Sequence, residues 1–484
     1  MLLAEGTYGR IFEVRRGVVL KKYKNEMFGL SPDFIREVSA LKSVRSSYVI
    51  EILDVNEDSI ELPYYSSSLY HAIKNKLPLK PKLLLKTICL GLYELHSIGI
   101  VHCDIKPGNV MVKDDGTACI IDTGFSKILE IDRNYGHRDM KIMTFYYRAP
   151  EVFLEEKYGF EIDIWSVGCT FVEMLEGKVL FEVKDEDSIL CEQFKLMGTP
   201  SYVLDEVRYS GEYRERFSEF GIECVDLIGG MLNTDYKERL YLCEILKRLD
   251  DKELKNERMK YGDYLDEYSV GFNLEKIGGK MVVMRKILLL WLINMIDYFE
   301  LHDVVYFRTV VLIDKILAGS VLGKVYVNEQ NFQLIGLACL FISSKYEMSN
   351  CLTIHDVLSV CEYTRKDLLE MEKRLLRILG WNVSFPTLYN YLSLYSYDLT
   401  LNKTQIKTFL KSLYICTIYS GLYEWDYSII CIVLGYIITG KSLERGSDPL
   451  NSLTEEEQES VLKARDFLMN QNEYEEISLL RSLI

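Results

Sequence analysis

The chain has two halves that differ in their hydrophobic period. Apolar and polar residues alternate over residues 1–24 around glycine-containing turns, which predicts three consecutive β-strands. The segment SPDFIREVSALKSV then carries apolar residues at helical spacing, with Pro32 and Asp33 in its first turn. From about Asp250 onward the alternation disappears and long apolar helical patterns follow. We therefore expect a domain boundary near residue 250.

The second half is predicted to be entirely helical. Five periodic segments are separated from one another by breaks in the pattern, and further helices are expected beyond Pro386. The five predicted helices cover residues 281–299, 303–321, 329–346, 353–361 and 365–380. Composition alone supports an all-helical domain and nothing finer.

One polar loop stands out in the first half. The octapeptide HCDIKPGN follows a predicted helix, precedes an apolar strand, and contains Asp104, Lys106 and Asn109. A loop that aims a carboxylate, a cation and an amide at one point suits phosphoryl transfer, because that reaction needs an oriented hydroxyl and neutralised phosphate charge. A solvated polar loop is the alternative, and the octapeptide by itself does not decide between them.

Length, charge, cysteine content and the longest apolar run narrow the classes of protein to which this chain can belong. A chain of 484 residues is too long for one ordinary domain. The formal charge of −15 argues against a nucleic-acid partner. The twelve cysteines occur without a Cys-x-x-Cys pair, which favours buried thiols in a reducing compartment. The most apolar run, residues 287–296, is shorter than the roughly 20 residues that a bilayer requires. We expect an intracellular protein, nuclear or cytoplasmic, without a membrane partner.

The N-terminal strands carry a candidate nucleotide site. Gly6 and Gly9 allow a close approach of the backbone to a ligand, but a glycine-rich phosphate loop has three glycines and its first position is Ala4 here. An ordinary hairpin is the alternative. Lys21 is predicted to point inward, where its ammonium needs phosphate and carboxylate partners, and Glu37 on the following helix is a candidate. A strand-edge lysine that reaches solvent is the alternative.

Several ordered segments of residues 1–250 together resemble a cyclin-dependent protein kinase. They are GTYG, VVLKK, SPDFIRE in the place of PSTAIRE, HCDIKPGN in the place of HRDLKPxN, DTG in the place of DFG, YYRAPE, IDIWSVGC, LMGTP, and Arg239 as the expected partner of Glu151. The resemblance implies an α+β bilobal protein kinase fold that transfers phosphate from ATP, with Mg²⁺, to serine or threonine.

The resemblance implies four catalytic residues. Lys21 would hold the α- and β-phosphates of ATP, and Glu37 would hold Lys21. Asp104 would orient the substrate hydroxyl and accept its proton, and Lys106 would contact the transferring phosphate. All four are present in this chain, which argues against a kinase that has lost its activity.

The resemblance also implies the nucleotide and metal sites. Mg²⁺ would be bound by Asn109 and Asp122. Thr7 and Tyr8 occupy positions where related kinases receive inhibitory phosphates, although both residue types also suit the backbone there. The ATP-binding positions would be Ala4, Gly6, Thr7, Gly9, Lys21, Leu62, Tyr64, Asn109 and Asp122.

The activation segment departs from the family. The HRD arginine, which in related kinases grips a phosphothreonine together with the equivalents of Arg36 and Lys127, is Cys103 here. Counted back from Thr144, the phosphothreonine position is Asp139, and no Ser or Thr lies between Lys127 and Thr144. A carboxylate facing two cations thus replaces a phosphate facing three. We predict that no activating phosphorylation is needed; sequence drift in a tolerant loop is the alternative.

Two further positions of this segment bear on regulation and specificity. Thr123 replaces the DFG phenylalanine, whose ring is expected to pack beneath the helix of Glu37, so an inactive arrangement is favoured unless something clamps that helix. Arg148 matches the arginine that shapes a pocket for proline after the phosphoacceptor. The resemblance therefore implies protein substrates with Ser-Pro or Thr-Pro sites.

The second half resembles a cyclin. The matching segments are MRKILLLWL, LIDKIL, QLIGLACLFISSKYE and LLEMEKRLLRILGWNV. They imply an all-α cyclin fold of two five-helix repeats. After a linker at residues 251–258, the N-terminal cyclin helix and first repeat would occupy residues 259–386. The second, weakly matched repeat would occupy residues 387–484.

One charged pair and two charged interface residues follow from the cyclin resemblance. Arg285 and Asp314 match the pair that braces the first two helices of the repeat. Lys345 and Glu372 match residues that contact the kinase helix at the cyclin–kinase interface. Considered only as charges on helices, the latter two are more often solvated surface residues.

A candidate substrate-docking patch lies on the same repeat. Its members match the patch that binds Arg-x-Leu segments in cyclins: Met284, Leu288, Trp291 and Gln333. Asn294 stands where a substrate-contacting acid is usual, which places this docking in doubt. For Leu288 and Trp291, membership of the hydrophobic core is the alternative, because an apolar row at helical spacing is usually core.

Two functions remain open from the sequence. The first is a self-contained, cyclin-activated Ser/Thr kinase whose two halves pair within one chain or by exchange between chains. The second is a binding module, in which a weak or inactive kinase half carries a cyclin that recruits another kinase or a substrate. Ala4, Cys103 and Thr123 favour the module, whereas the complete set of catalytic charges favours the enzyme.

Overall fold

The structure is a computed structural model of the whole chain. It describes residues 1–5, 9–24, 29–128, 143–156, 158–203, 208–250, 254–255, 260, 278–321, 326–348, 350–392, 403–418, 430–434 and 461–463. The chain divides into two compact units, one formed by residues 1–26 and 30–261 and the other by residues 27–29 and 262–484. The predicted linker at residues 251–258, most of the N-terminal cyclin helix and most of the second repeat lie outside the described residues.

The first unit begins with a five-stranded antiparallel sheet in the order β1-β2-β3-β5-β4. The three strands predicted at the N-terminus are confirmed, and Lys21 of β3 pairs with Ile11 of β2 and Ile60 of β5. Two smaller sheets have the orders β6-β8-β9 and β7-β10. The strands are β1 Leu2–Glu5, β2 Gly9–Arg15, β3 Val18–Tyr23, β4 Asp54–Val55, β5 Ser59–Pro63, β6 Ser67–Ser68, β7 Ile100–Val101, β8 Val110–Val112, β9 Ala118–Ile120 and β10 Lys127–Ile128.

Helix α1, Pro32–Ser43, follows the first three strands as predicted. The Ser31 side chain accepts a hydrogen bond from the backbone N–H of Phe34 at 3.1 Å, and Pro32 occupies the first turn, where its missing N–H costs nothing. The helix buries Phe34 and Ile35, and with them the charged residue Glu37. A carboxylate on a buried helix face requires a partner that offsets the cost of its desolvation.

The remainder of the first unit is mainly helical. Helix α3 packs against α5, α9 and β9, and α5 carries the fully buried Trp165 at its centre. Its helices are α2 Leu69–Lys74, α3 Pro81–His96, α4 Pro150–Phe153, α5 Glu161–Glu176, α6 Glu186–Met197, α7 Tyr213–Arg216, α8 Ile222–Met231 and α9 Leu242–Asp250. This is the larger helical part beneath a sheet that a bilobal kinase fold requires.

The second unit is helical in its described part, as predicted. Three helices begin with capping boxes, at Asn328, Thr353 and Thr364, which fix where the third, fourth and fifth predicted helices start. The fourth is shorter than the sequence indicated. The helices are α10 Gly279–Tyr298, α11 Asp303–Val321, α12 Glu329–Glu347, α13 Ile354–Leu358, α14 Arg365–Ile378 and α15 Lys403–Ile418.

Two further features concern the cysteines and the lengths of the helices. All twelve cysteines are free thiols and most are buried. Within the described ranges, every helix is too short or too polar to cross a lipid bilayer.

Candidate active site

Three charged residues from three different segments meet in the first unit. The Lys21 ammonium on β3 lies 2.6 Å from Glu37 Oε2 on α1 and 2.9 Å from Asp122 Oδ1, which follows β9. Strand pairing turns Lys21 inward, so that only 12% of its side chain is exposed. The predicted contact between Lys21 and Glu37 is therefore present, and the alternative of a solvated strand-edge lysine is wrong.

Burial and charge oppose each other in this cluster. Burial disfavours the charged ammonium, but the carboxylates of Glu37 and Asp122 outweigh it and raise the pKa of Lys21 above its ordinary value. Burial raises the pKa of Glu37, with Lys21 acting against it. For Asp122, the desolvation that burial imposes is overcome by Lys21, and the pKa of the aspartate lies below its ordinary value. Asp122 is therefore held as an anion.

The catalytic loop forms a second cluster around Asp104. Asp104 Oδ2 accepts hydrogen bonds from Lys106 Nζ at 2.7 Å and from Asn109 Nδ2 at 2.9 Å. Asp104 Oδ1 accepts from the Thr144 backbone N–H at 3.0 Å and from the Thr144 hydroxyl at 2.7 Å. Lys106 also donates to the Thr144 hydroxyl at 2.6 Å. The loop is thus a built site joined to the activation segment, and the alternative of a merely solvated polar loop is wrong.

The backbone of this loop is fixed by Asp163 of α5. Its carboxylate accepts the N–H groups of His102 at 2.7 Å and Cys103 at 2.9 Å, and it lies 2.9 Å from His96 Nε2. Cys103 adopts a φ of +65°, a strained value for a residue with a side chain, and these bonds hold it there. The sequence predicted Asp163 only as part of a helix motif and missed this role, although an aspartate within the apolar pattern IDIWSVGC was a usable signal.

The two magnesium positions fit the metal by donor type. Mg²⁺ prefers oxygen ligands and is commonly bound by one or two protein groups together with substrate phosphates. The Asp122 carboxylate is anionic, and the Asn109 amide uses its nitrogen to donate to Asp104, which leaves its oxygen as the metal-binding atom. Among the described residues no larger cluster of potential metal ligands occurs.

The N-terminal glycines are placed only in part. Gly6, Thr7 and Tyr8 lie outside the described residues. Gly9 lies in β2, and a Cβ there would overlap the Lys22 carbonyl of β3, so strand pairing itself requires this glycine. The other predicted ATP-binding positions vary in exposure: the backbone of Ala4 belongs to β1, Leu62 is buried in β5, and Tyr64, just beyond it, is 43% exposed.

The structure describes the activation segment at its two ends. Cys103 is fully buried, and its thiol lies 3.6 Å from the Val101 carbonyl. Arg36 is buried on α1, with Nη1 3.8 Å from Asp33. Asp139 and the side chain of Lys127 lie outside the described residues, so the predicted replacement of a phosphothreonine by Asp139 stays a prediction.

Thr123 and Arg148 are both buried. The Thr123 hydroxyl lies 3.4 Å from the backbone carbonyl of Glu37, so a polar contact to α1 stands where a phenylalanine ring was expected to pack. Arg148 donates to the Met143 carbonyl at 3.3 Å, and its guanidinium lies 5.1 Å from the Phe153 ring centroid. Its position is fixed by the segment that would surround a substrate residue.

In the second unit, the predicted pair Arg285 and Asp314 is a buried ion pair, and the two predicted interface residues Lys345 and Glu372 also pair with each other, while their contact with the kinase helix stays a prediction. Arg285 donates to Asp314 at 2.6 and 2.8 Å and to the Thr417 carbonyl at 2.8 Å, which joins α10, α11 and α15. Lys345 of α12 pairs with Glu372 of α14, and neither side chain is exposed. The alternative that Lys345 and Glu372 are solvated surface charges is wrong.

The predicted docking patch is not continuous at the surface. Leu288 is buried. Its side chain packs so closely on Gly336 that a Cβ added to this glycine would lie 2.7 Å from Leu288 Cδ1. Met284 and Trp291 are half-buried, and Gln333 is exposed. Leu288 fills the space between α10 and α12, which supports the core alternative for this residue, and docking of Arg-x-Leu segments by the four residues stays a prediction.

Comparison with known proteins bears on both units. The family model of the protein kinase domain matches residues 1–249. The chain belongs to the protein kinase family. The model of the cyclin N-terminal domain matches residues 264–384 of this same kinase. The kinase is therefore followed in one chain by a cyclin domain, and the predicted fold classes of both are confirmed.

Two relatives that match by sequence agree with this assignment. The kinase is 34% identical over 233 residues to cyclin-dependent kinase B1-1 of Arabidopsis thaliana, which covers 41% of this chain and 74% of the relative. It is 33% identical over 234 residues to the mitogen-activated protein kinase hog-1 of Neurospora crassa, covering 44% and 64%. The solved yeast RNA Pol II CTD kinase CTDK-1 complex matches with a TM-score of 0.43 at 25% identity, covering 49% of this chain and 87% of that one. The chain is an ATP-dependent Ser/Thr protein kinase of the cyclin-dependent type.

Proposed function

We propose that this kinase is activated by the cyclin in its own second half and phosphorylates Ser-Pro and Thr-Pro sites of proteins without activating phosphorylation of its activation segment. The observation that carries the proposal is the contact of 2.6 Å between Lys21 and Glu37, together with the 2.9 Å contact between Lys21 and Asp122. A displaced α1 would separate these groups, so the first unit has the arrangement that catalysis requires.

The chemistry follows from the two clusters. Asp104 accepts the proton of the substrate hydroxyl, and its carboxylate is aimed by Lys106, Asn109 and Thr144. Lys106 adds positive charge where negative charge develops on the transferring phosphate. Bound Mg²⁺ would neutralise the phosphates of ATP, and Asp122 and Asn109 would hold it.

The fused cyclin replaces encounter between separate proteins. An attached partner acts at an effective concentration that reaches roughly the mM range when the linker spans the gap. Pairing within one chain satisfies this condition directly, whereas exchange between two chains still requires the two chains to meet. We propose residues 1–250 as the catalytic domain, residues 259–386 as the activating repeat and residues 387–484 as the second repeat, joined through a linker at residues 251–258.

Independence from activating phosphorylation rests on charge balance. Arg36 is retained and buried on α1, while the third cation of related kinases is replaced by the neutral thiol of Cys103. Fewer cations require less negative charge, which a carboxylate at Asp139 supplies. In the purified, unphosphorylated kinase, Asp139→Ala should lower turnover, whereas Asp139→Glu should preserve it. Undiminished turnover in Asp139→Ala would contradict this part of the proposal.

The activity is tested with the full chain, Mg-ATP and matched peptides. We expect phosphate transfer to a Ser-Pro peptide that falls at least about 1,000-fold in Asp104→Asn, because the general base is lost. Asp114→Asn, which changes an exposed aspartate of the same unit, is the control. No Asp104-dependent transfer would favour the binding module. Equal transfer to Ser-Pro and Ser-Ala peptides would remove only the proline preference.

Activation by the cyclin needs a separate comparison. The chain ending at residue 261 retains the first compact unit. If it unfolds cooperatively, its turnover should lie about 5- to 150-fold below that of the full chain, the usual range of coupling between sites. Equal turnover of the two would contradict activation by the second half.

A further inference from the structure

Tyr23 is the last residue of β3, two positions after Lys21. We propose that Tyr23 is a positioning residue for phosphoryl transfer: its phenol hydroxyl holds the Glu37 carboxylate in place, and Glu37 in turn orients Lys21 toward the phosphates of ATP. The inference rests on the proposed kinase activity and adds to it a second anchor for α1 that is built into the catalytic unit.

The geometry is that of a strong hydrogen bond. The Tyr23 hydroxyl donates to Glu37 Oε2 at 2.6 Å, the same oxygen that the Lys21 ammonium contacts at 2.6 Å. Both Tyr23 and Glu37 are almost completely buried, at 3% and 1% exposure. A hydrogen bond to a charged acceptor away from water is stronger than one between neutral groups.

The ring of Tyr23 is itself held firmly. It meets Phe34 of α1 edge-on, with ring centroids 5.1 Å apart, and the Lys21 ammonium lies 5.4 Å from its centroid. A leucine or isoleucine would fill such a strand position without adding a buried polar atom, so the hydroxyl is the distinctive feature. Burial raises the pKa of Tyr23 well above its ordinary value, which keeps the phenol protonated as a donor.

The Tyr23 hydroxyl matters because the Lys21 ammonium must donate to several acceptors. Two of its three N–H donors already contact Glu37 and Asp122, and an ATP phosphate would take the third. Any shift of the ammonium toward phosphate would weaken its hold on Glu37. Tyr23 has no competing acceptor among its described contacts, so it keeps the carboxylate, and thereby α1, in place while Lys21 engages the nucleotide.

The test compares Tyr23→Phe with Tyr93→Phe in the full chain. Tyr93 is also a buried tyrosine of the first unit, and its hydroxyl donates to the Lys255 carbonyl at 2.8 Å, away from both charge clusters. We expect Tyr23→Phe to lower kcat/KM for Mg-ATP about tenfold, the factor expected for losing a hydrogen bond to a charged group, with KM for the peptide unchanged. Tyr93→Phe should stay within about twofold, the scatter of neutral substitutions.

A second arm separates positioning from mere stability. In chains that already carry Glu37→Ala, which removes the acceptor, adding Tyr23→Phe should change kcat/KM by less than about twofold, because the hydroxyl acts only through the carboxylate. Unchanged kcat/KM in the Tyr23→Phe single variant would overturn the inference. A tenfold loss that persists in the Glu37→Ala background would overturn it as well.

A binding measurement keeps the inference independent of turnover. In the Asp104→Asn chain, calorimetric titration with Mg-ATP should show about fivefold weaker binding when Tyr23→Phe is added and unchanged binding when Tyr93→Phe is added. If the wild-type chain transfers no phosphate but Tyr23→Phe still weakens the binding of Mg-ATP, the proposed activity is rejected and the role of Tyr23 is retained. If the wild-type chain is active but Tyr23→Phe leaves the binding of Mg-ATP unchanged, only the role of Tyr23 is rejected.

Discussion

Arg239 and Glu151 form a doubly hydrogen-bonded ion pair with no exposed surface. Nη1 of Arg239 lies 2.6 Å from Glu151 Oε1, and Nη2 lies 2.9 Å from Oε2. The guanidinium also donates to the carbonyl groups of Glu161 and Asn233 and lies 5.3 Å from the Trp165 ring. The end of the activation segment is thereby joined to α5, in the pairing that the sequence predicted.

Breaking this pair should be costly. Arg239→Leu leaves the Glu151 carboxylate buried without its partner, so we expect a loss of about 3–5 kcal/mol in the free energy of unfolding of the first unit. Adding Glu151→Leu should restore part of that loss. Arg214→Leu is the control, because Arg214 contacts Asp226 at 3.2 Å in an exposed pair worth about 1 kcal/mol or less. Denaturant titration measures all of these, and a cost below that of the control would contradict the expectation.

The second unit offers the same comparison at Lys345. Burial lowers the pKa of Lys345, and Glu372 acts against this shift. Glu372→Leu should therefore destabilise the unit by about 3–5 kcal/mol, because the ammonium is left buried and unpaired. Glu370→Leu, an exposed position on the same helix, should change stability by less than about 0.5 kcal/mol. Thermal unfolding of the full chain, followed at the transition of the second unit, distinguishes them; equal shifts would show that Lys345 is not desolvated.

At Gly336 of α12, packing decides whether substitution by alanine stabilises or destabilises the fold. In an exposed helix, Gly→Ala stabilises by up to about 1 kcal/mol. Here the new Cβ would lie 2.7 Å from Leu288 Cδ1, so we expect a loss of about 1–3 kcal/mol from overpacking. Gly279→Ala is the control, because a Cβ there meets no atom within 4 Å. Adding Leu288→Val should recover part of the loss, and stabilisation by Gly336→Ala alone would contradict the burial of Leu288.

Glu173 of α5 should make stability depend on pH. Burial raises the pKa of Glu173, which accepts a hydrogen bond from Tyr147 at 2.6 Å. The folded state therefore binds a proton more tightly than the unfolded state, and stability falls as pH rises from the ordinary glutamate pKa through the raised one. Glu173→Gln keeps an acceptor without this titration.

The variant should accordingly gain melting temperature relative to the parent as pH rises. We expect little difference near about pH 4 and a gain near about pH 8, with each unit of pKa shift corresponding to about 1.4 kcal/mol. Differential scanning calorimetry across this range measures the gain. A difference that is constant with pH would mean that the Glu173 pKa is not raised.

The sequence predicted elements and motif residues better than it predicted the partners that hold them. Lys21 with Glu37 and Arg239 with Glu151 were predictable because the resemblance to cyclin-dependent kinases implies both members of each pair. Tyr23 was missed because a tyrosine in a strand is usually explained by packing, and its hydroxyl gains meaning only once α1 is placed beside β3. Lys345 and Leu288 were ambiguous for a related reason: burial depends on the neighbouring helix, which helical spacing does not reveal.

The contacts of Asp104 define what a substrate must do on arrival. A carboxylate has about four acceptor positions, and those of Asp104 are engaged by Lys106, Asn109 and twice by Thr144. An incoming serine or threonine therefore competes with a hydroxyl that the protein already presents. In the proposed mechanism the substrate hydroxyl would take the place of the Thr144 hydroxyl on Asp104 Oδ1, while Lys106, Asn109 and the Thr144 backbone N–H keep the carboxylate oriented.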